Sequence, residues 1–313
     1  MASLAQSKLP IINIENLKPG SKSWILACHK VRHTLEEYGC FMVVSDGLSQ
    51  DFKNEVYENV KTLFDLPTET KMKNTSDKPL HGYLGPFRTR PLYESMGIEH
   101  ATSVEDVVSF ANLMWPSGNH QFSKTIHSYA SLVSKLEKLV RKMVFESYGV
   151  EKYDESFDES MAYLLKLNKY RPRKSDDETN VGAMIHTDKN FLTILSQNQM
   201  NGLEVQIKDG EWMSVDFSPS SFVVMATDAF MAWSNGRIKS PSHRVLMNAE
   251  EDRYSIALFS FKKGIIETPE ELVDDQHPLK FKPFDHYKFL EFYAKNLRYL
   301  DERALMLYCG IIN

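Results

Sequence analysis

Two side chains that could bind metal, two residues apart, constrain the fold more than any other feature: His186 and Asp188 in Ile185-His-Thr-Asp188-Lys-Asn. In an extended strand residues i and i+2 project from one face, so an imidazole and a carboxylate so spaced can reach one ion together. A third donor must then come from elsewhere in the chain. His243, in Ser240-Pro-Ser-His243-Arg-Val, lies 57 positions on (186 to 243), behind apolar runs and turn residues. Several antiparallel strands can carry a chain over that distance and back to the same end of a sheet. Two neutral imidazoles and one carboxylate make a facial set that leaves coordination positions open, which suits non-haem Fe(II) binding a cosubstrate and O2. In a chain with ten histidines, the bland alternative for His186 is a strand-end ring hydrogen-bonded to a nearby Asp.

A second pair weighs against that alternative. Arg253-Tyr-Ser255 follows His243 by ten positions (243 to 253), at the head of the run Arg-Tyr-Ser-Ile-Ala-Leu-Phe-Ser-Phe. Again the i and i+2 side chains share a face, and a guanidinium fork beside a hydroxyl is suited to a buried carboxylate. The other reading is an Arg on a solvated strand face. Because the strand is otherwise largely apolar, an inward-pointing charge there needs an anionic partner.

With these residues in view, the chain resembles the plant-type Fe(II)/2-oxoglutarate-dependent dioxygenases. Their pattern is His-x-Asp, about 55 residues, His, about ten residues and Arg-x-Ser. The resemblance covers nearly the whole chain and includes Leu9-Pro10-Ile11-Ile12-Asn13, Tyr38-Gly39-Cys40-Phe41, Leu66-Pro67, Asn235-Gly236-Arg237 and Lys239-Ser240. Leu80-His-Gly-Tyr83-Leu-Gly, Leu92-Tyr93-Glu-Ser-Met-Gly and Glu270-Glu-Leu-Val-Asp-Asp-Gln-His-Pro resemble the subfamily named for alkenyl- and hydroxyalkyl-producing glucosinolate enzymes.

The resemblance implies Fe(II) on His186, Asp188 and His243, with 2-oxoglutarate as cosubstrate, O2 as oxidant and ascorbate as a supportive reductant. It implies that Arg253 and Ser255 take the distal carboxylate of 2-oxoglutarate, while Asn168 and Tyr170 contact the cosubstrate. Here the chain departs from the family's Asn-Tyr-Tyr-Pro by reading Asn168-Lys-Tyr170-Arg-Pro172, and Thr227 stands before Asp228 where Gly is usual. The implied reaction oxidises a small plant specialised metabolite and releases succinate and CO2. A 2-oxoglutarate-independent oxidase of the same fold and a hormone-oxidising, auxin-type dioxygenase stay open, as do a zinc hydrolase and a non-catalytic binding protein.

Composition bounds the partners. With 37 Lys and Arg against 42 Asp and Glu the net charge is −5, and no basic stripe interleaved with aromatics stands out, so the expected partner is a small molecule and not a nucleic acid. Cys28, Cys40 and Cys309 make no metal spacing and no even disulfide framework, which fits a reducing compartment. The first eight residues lack the form of a secretory signal, and no apolar run approaches the ~20 residues that span a bilayer. A cytoplasmic monomer without membrane contact is the expectation.

In chain order, short strands are expected at Pro10–Ile14 and Cys40–Val44, and helices at Ser23–Glu37, Ser49–Phe64 and Phe122–Tyr148. Lys135, Lys138, Arg141 and Lys142 on the last of these read as a solvated face. The stretch 75–99 reads as a long loop, with Tyr83, Phe87, Arg88, Arg90 and Tyr93, that lines a substrate mouth or packs its aromatics on the core. Beyond Gly149 the pattern changes to short strands. The expected fold is mainly β with flanking helices: a double-stranded β-helix (jelly-roll) core with a helical N-terminal part and a C-terminal helix. The divisions are 1–150, a catalytic core at 151–265, and a helical extension at 266–313. By strand parity Phe259 and Phe261 follow Ser255 onto the pocket face, or belong to ordinary core; Lys166 follows Asn168 and Tyr170, or is solvated.

Overall fold

The computed structural model describes residues 8–86, 90–175, 177–207, 210–218, 220–296 and 303–311. Helix α1 (Lys22–Tyr38) starts where the Ser21 hydroxyl accepts the Trp24 amide, and it buries Trp24, Cys28, Val31 and Leu35. It stops at Gly39, whose φ of +72° suits a residue without Cβ. A Cβ there would also stand 2.6 Å from Pro241 Cδ, so the same glycine lets the segment leading to His243 lie against the helix end.

The chain continues through β1 (Cys40–Val44), α2 (Gln50–Phe64), α3 (Thr68–Lys71), β2 (Tyr93–Glu99), α4 (Val104–Met114) and α5 (His120–Tyr148). After α6 (Asp154–Ser160) strands take over: β3 (Met161–Tyr170), β4 (Val181–His186), β5 (Leu192–Gln197), β6 (Leu203–Gln206), β7 (Trp212–Ser214) and β8 (Ser221–Ala226). Following α7 (Asp228–Trp233) come β9 (His243–Leu246), β10 (Arg253–Lys262), β11 (Ile265–Ile266), β12 (Phe284–Asp285), α8 (His286–Lys295) and α9 (Ala304–Cys309).

The strands form a six-stranded sheet, in the order β1-β8-β5-β10-β3-β2, and a four-stranded sheet, in the order β4-β9-β6-β7. Every ladder in both is antiparallel. Between the sheets lies an apolar layer that includes Met42, Val205, Met213, Val223 and Met225. The opposite face of the large sheet packs, through Leu165, Ile194, Val224 and Ile256, on helical residues such as Val60, Ile126, Tyr129 and Val133. That larger cluster runs from Ile12 to Cys309, so the first 150 residues and the C-terminal helices share one core with the strands. Mainly antiparallel sheets flanked by helices are thus observed, an arrangement consistent with a jelly-roll core.

The N-terminal part does more than cover the sheet, because it supplies both edge strands, β1 and β2. The presence of β2 corrects the expectation of a loop over the whole of 75–99. Gly97 and the polar Glu94 and Ser95 blur the alternation there, yet Ser95 and Met96 are buried in ladder pairing with β3. The glycine is needed, since a Cβ on it would come within 1.8 Å of the His81 carbonyl oxygen, which crosses the strand at that point. The strand expected at Pro10–Ile14 reduces to one bridge, Ile11 to Met42, beside a proline that has no amide to donate. Helix α4 escaped the sequence pattern.

Arg141 also departs from expectation. It is 1% exposed on α5, with its guanidinium paired to Asp154 and Asp158 and 3.8 Å from Glu137, itself wholly buried. Tyr163 donates to the Glu137 carboxylate at 2.9 Å. Burial raises the Glu137 pKa, and Arg141 and Tyr163 oppose that. Arg141→Met should therefore strand a buried carboxylate and cost about 3 kcal/mol, the low end for breaking a buried pair, because Asp158 stays hydrated. Denaturant unfolding reads the loss; an unchanged midpoint would show that the cluster contributes nothing to stability.

Candidate active site

His186 and His243 are directly opposite each other on β4 and β9, with ring centroids 4.1 Å apart. Strand β4 ends at His186, so Asp188 sits in the loop that follows and not on the strand. The side chains converge all the same. Asp188 Oδ1 lies 3.8 Å from Nε2 of each imidazole, and one donor atom from each of the three residues falls within 4.8 Å of the others.

Each ring is oriented from behind. His186 Nδ1 lies 2.8 Å from the Met184 carbonyl and His243 Nδ1 3.3 Å from that of Pro241, so a proton on each Nδ1 leaves each Nε2 lone pair aimed inward. Burial, then the neighbouring His243, pushes the His186 pKa down to about 3, which keeps the ring neutral as a ligand must be. For Asp188 burial works toward the acid form, but the two imidazoles, Thr193 and Lys189 outweigh it and hold the pKa below the usual value. Thr193 donates to Asp188 Oδ2 at 2.7 Å and leaves Oδ1 facing the rings. This donor set fits a divalent transition metal with open positions.

The loop bearing Asp188 is held by a buried ion pair that the sequence did not single out. Lys189 Nζ lies 2.8 Å from Asp228 Oδ2 and donates to the Thr187 carbonyl, while Asp228 Oδ1 accepts from Ser240 at 2.6 Å. The Asp228 amide donates to the Asp188 carbonyl at 3.0 Å. From α8, His286 accepts the Lys262 amide on Nδ1, so its Nε2 carries the proton and donates to the Lys189 carbonyl at 2.9 Å. Thr227, standing where a glycine is usual in the family it resembles, has φ −137° and ψ 179°, ordinary extended backbone that needs no glycine. Its hydroxyl is 2.9 Å from the Phe191 carbonyl.

At the other end of the cavity Arg253 is 1% exposed. Its Nε and Nη2 donate to Gln197 Oε1 at 3.1 and 2.8 Å, and Nη1 is buried without a hydrogen-bond partner among the described residues. An orphaned donor on a buried cation is costly unless an anion meets it. Ser255 lies beside it on the same face and accepts from Asn168 Nδ2 at 3.3 Å, and Asn168 Oδ1 accepts from Tyr93 at 2.9 Å. Tyr170 is the direct strand partner of Arg253, with its ring 5.0 Å from the guanidinium carbon. The departures flanking it point away: Lys169 pairs with Asp252 at 3.1 Å and Arg171 with Asp177 at 2.7 Å.

One cavity of about 420 Å³ contains the three donors together with Asn168, Tyr170, Arg253 and Ser255. Lys166, Phe259 and Phe261 also line it, as strand parity predicts, and so does Tyr93, expected on a loop and found at the start of β2. Tyr83 does not. Its hydroxyl donates to Glu94 at 2.6 Å and its ring lies against Lys71, on the far side of β2 from the cavity. Phe87 and Arg88 lie outside the described residues. Arg90, expected on the loop at the substrate mouth, lines the cavity. His81, Gln197, Leu290 and Tyr293 were missed: each is placed by a loop, a strand end or the C-terminal helix, for which the local pattern carries no mark.

Comparisons with known proteins agree with this geometry. Residues 162–262 match the 2OG-Fe(II) oxygenase superfamily and residues 9–125 the non-haem dioxygenase in morphine synthesis N-terminal family. The chain is 43% identical over 307 residues to the probable 2-oxoglutarate-dependent dioxygenase AOP1.2 of Arabidopsis thaliana, covering 95% of this chain and 94% of that protein. Among solved structures it is similar to the rice dioxygenase for auxin oxidation (28% identity, TM-score 0.81, 96% and 100% of the two chains). It is also similar to the Arabidopsis dioxygenase for auxin oxidation 1 in its 2-oxoglutarate complex (29% identity, TM-score 0.78, 86% and 99%). The chain belongs to the 2-oxoglutarate- and Fe(II)-dependent dioxygenases, and is an enzyme of that class with iron and 2-oxoglutarate as its cofactor and cosubstrate.

Proposed function

We propose that His186, Asp188 and His243 hold Fe(II), that Arg253 and Ser255 take the distal carboxylate of 2-oxoglutarate with Asn168 and Tyr170 beside it, and that the enzyme oxidises a small plant metabolite. The observation that carries this is the orphaned Arg253 Nη1 in the same cavity as the convergent triad. A carboxylate supplies the missing acceptor, and a diacid anchored there can present its other end to the metal. Iron, when bound, supplies O2 activation coupled to decarboxylation of 2-oxoglutarate. In the balanced reaction one oxygen atom of O2 enters succinate, formed with loss of CO2, and the other enters a carbon-hydrogen bond of the substrate as a hydroxyl.

The protein's own work is positional. Gln197 fixes the Arg253 fork, Thr193 fixes the Asp188 carboxylate, and Tyr93, Phe259 and Phe261 wall the substrate side against water. We read the two sheets as a double-stranded β-helix at 151–265, edged by strands of the 1–150 region and closed by the 266–313 extension. The three free, buried cysteines accord with a reducing, cytoplasmic setting. Among the described residues, no helix is long and apolar enough to cross a membrane.

Replacing His186, Asp188 or His243 with Ala should abolish iron-dependent succinate formation from 2-oxoglutarate and remove bound iron measured on the purified protein. A variant that keeps both would take that residue out of the site. Arg253→Met should raise the KM for 2-oxoglutarate about 30-fold, since truncating one side of a buried charge pair costs about 2 kcal/mol or more. An unchanged KM, or product formed without consumption of 2-oxoglutarate or O2, would overturn the assignment.

A further inference from the structure

We infer that the substrate is an organic anion, an oxyanion group on an apolar body, and that Lys166 and Arg90 form the subsite that holds its charge. The inference rests on the dioxygenase reading above and deepens it by naming the substrate class.

The argument begins with a count of charge inside the cavity. Among the described residues its only acidic lining residue is Asp188, which faces the two imidazoles. Four cations line it: Arg90, Lys166, Lys189 and Arg253. Lys189 is matched by Asp228, and Arg253 is the anchor for 2-oxoglutarate. Nothing among the described residues matches the other two. Lys166 is buried and Arg90 half-buried; a buried positive charge without an anion is unfavourable, so the molecule that fills the space should bring one.

Lys166 is 6% exposed in the middle of β3. An ammonium has three donors, and the protein uses one, to the Leu80 carbonyl at 2.7 Å. No carboxylate of the described residues lies within ion-pair reach of it or of Arg90. Burial first, then the nearby charge of Arg90, lowers the Lys166 pKa to about 8, so at neutral pH the ammonium form still dominates.

The subsite is distinct from the anchor for the distal carboxylate of 2-oxoglutarate. Along β3, Tyr170 pairs with Arg253, Asn168 with Ser255 and Lys166 with Ala257. Four residues of strand put Lys166 on the order of 13 Å along the sheet from the Arg253 row. That separation keeps Lys166 out of the anchor for the distal carboxylate and places it toward the metal end of the cavity, one same-face row before Thr193, which holds Asp188. Around and beyond Lys166 the wall is apolar or aromatic: Leu164, Phe259, Phe261, Leu290 and the His81 ring, 5.2 Å from that of Phe261. Ammonium and guanidinium do not by themselves separate carboxylate from sulfate, so the shared chemistry is the oxyanion.

The test uses full-length enzyme with Fe(II) and 2-oxoglutarate, kept anaerobic, and three probe sets: aryl- and cycloalkyl-alkanoic acids, the matching alkyl sulfates, and the neutral methyl esters of the acids. Dissociation constants come from quenching of tryptophan fluorescence, and folding of each variant is followed by its thermal midpoint. Acids or sulfates should bind at least about tenfold tighter than the esters; which of the two does so identifies the oxyanion. Lys166→Met and Arg90→Gln should erase the preference, and Arg90→Lys should restore it. Lys166→Met also removes the support of Leu80, whereas no side-chain partner of Arg90 appears among the described residues, so the Arg90 pair separates charge from scaffolding. Esters binding as tightly as acids, a preference surviving in Arg90→Gln, or no binding by any anion of the panel would overturn the inference. Failure of the dioxygenase reading shows separately, as no succinate from 2-oxoglutarate in aerobic wild-type enzyme.

Discussion

The buried pair between Lys189 and Asp228 is what the site depends on. Lys189 is 5% exposed and Asp228 wholly buried, and such a pair repays its desolvation only if its remaining donors and acceptors are satisfied. Here they are: Thr187 and Ser240 complete the hydrogen bonding, and the Tyr293 ring lies 4.5 Å from the ammonium. The contacts draw together four stretches far apart in sequence: the loop of Asp188, the start of α7, the segment entering β9 and helix α8. The ligands converge because the loops beneath them are cross-braced, and the cavity's charge pattern is legible because this pair takes its own two charges out of the count.

The sheet sets the rest by register. Strand β3 carries Lys166, Asn168 and Tyr170 on one face, and β10 carries Arg253, Ser255, Phe259 and Phe261 on the face that meets it. One alternation thus lays down a sequence of environments, from a guanidinium that needs a carboxylate, through a hydroxyl-amide network, to aromatic walls. Because β2 pairs outside β3, Tyr93 joins the network from the sheet edge, and Gly97 gives the His81 loop room to cross.

Much of this was legible in the chain. The triad, Arg253 and Ser255 could be read from spacing, and Phe259, Phe261 and Lys166 from parity, because a strand's period of two is a rule that survives without knowing the fold. What stayed hidden was set by contacts between distant segments. Arg141 looks like a solvated helix charge until Glu137 and Asp154 are brought to it, and Tyr83 looks like a pocket aromatic until Glu94 claims its hydroxyl. Gln197 and His81 have no sequence spacing that marks them, since their roles arise only where a strand end or loop meets the cavity. Thr227 shows the converse: a departure from a familiar pattern meets an extended backbone that does not require glycine.

His286 gives the C-terminal extension a meaning that its position would not suggest. A single neutral imidazole accepts from the end of β10 and donates to the loop beside Asp188, so the first residue of α8 is shared between the catalytic sheet and the metal loop. Few side chains can accept at one end and donate at the other across that span. A chain ending before residue 286 would retain every proposed ligand and still lose the donor that steadies them. The start of α8 and the loop of Asp188 are therefore coupled through one side chain.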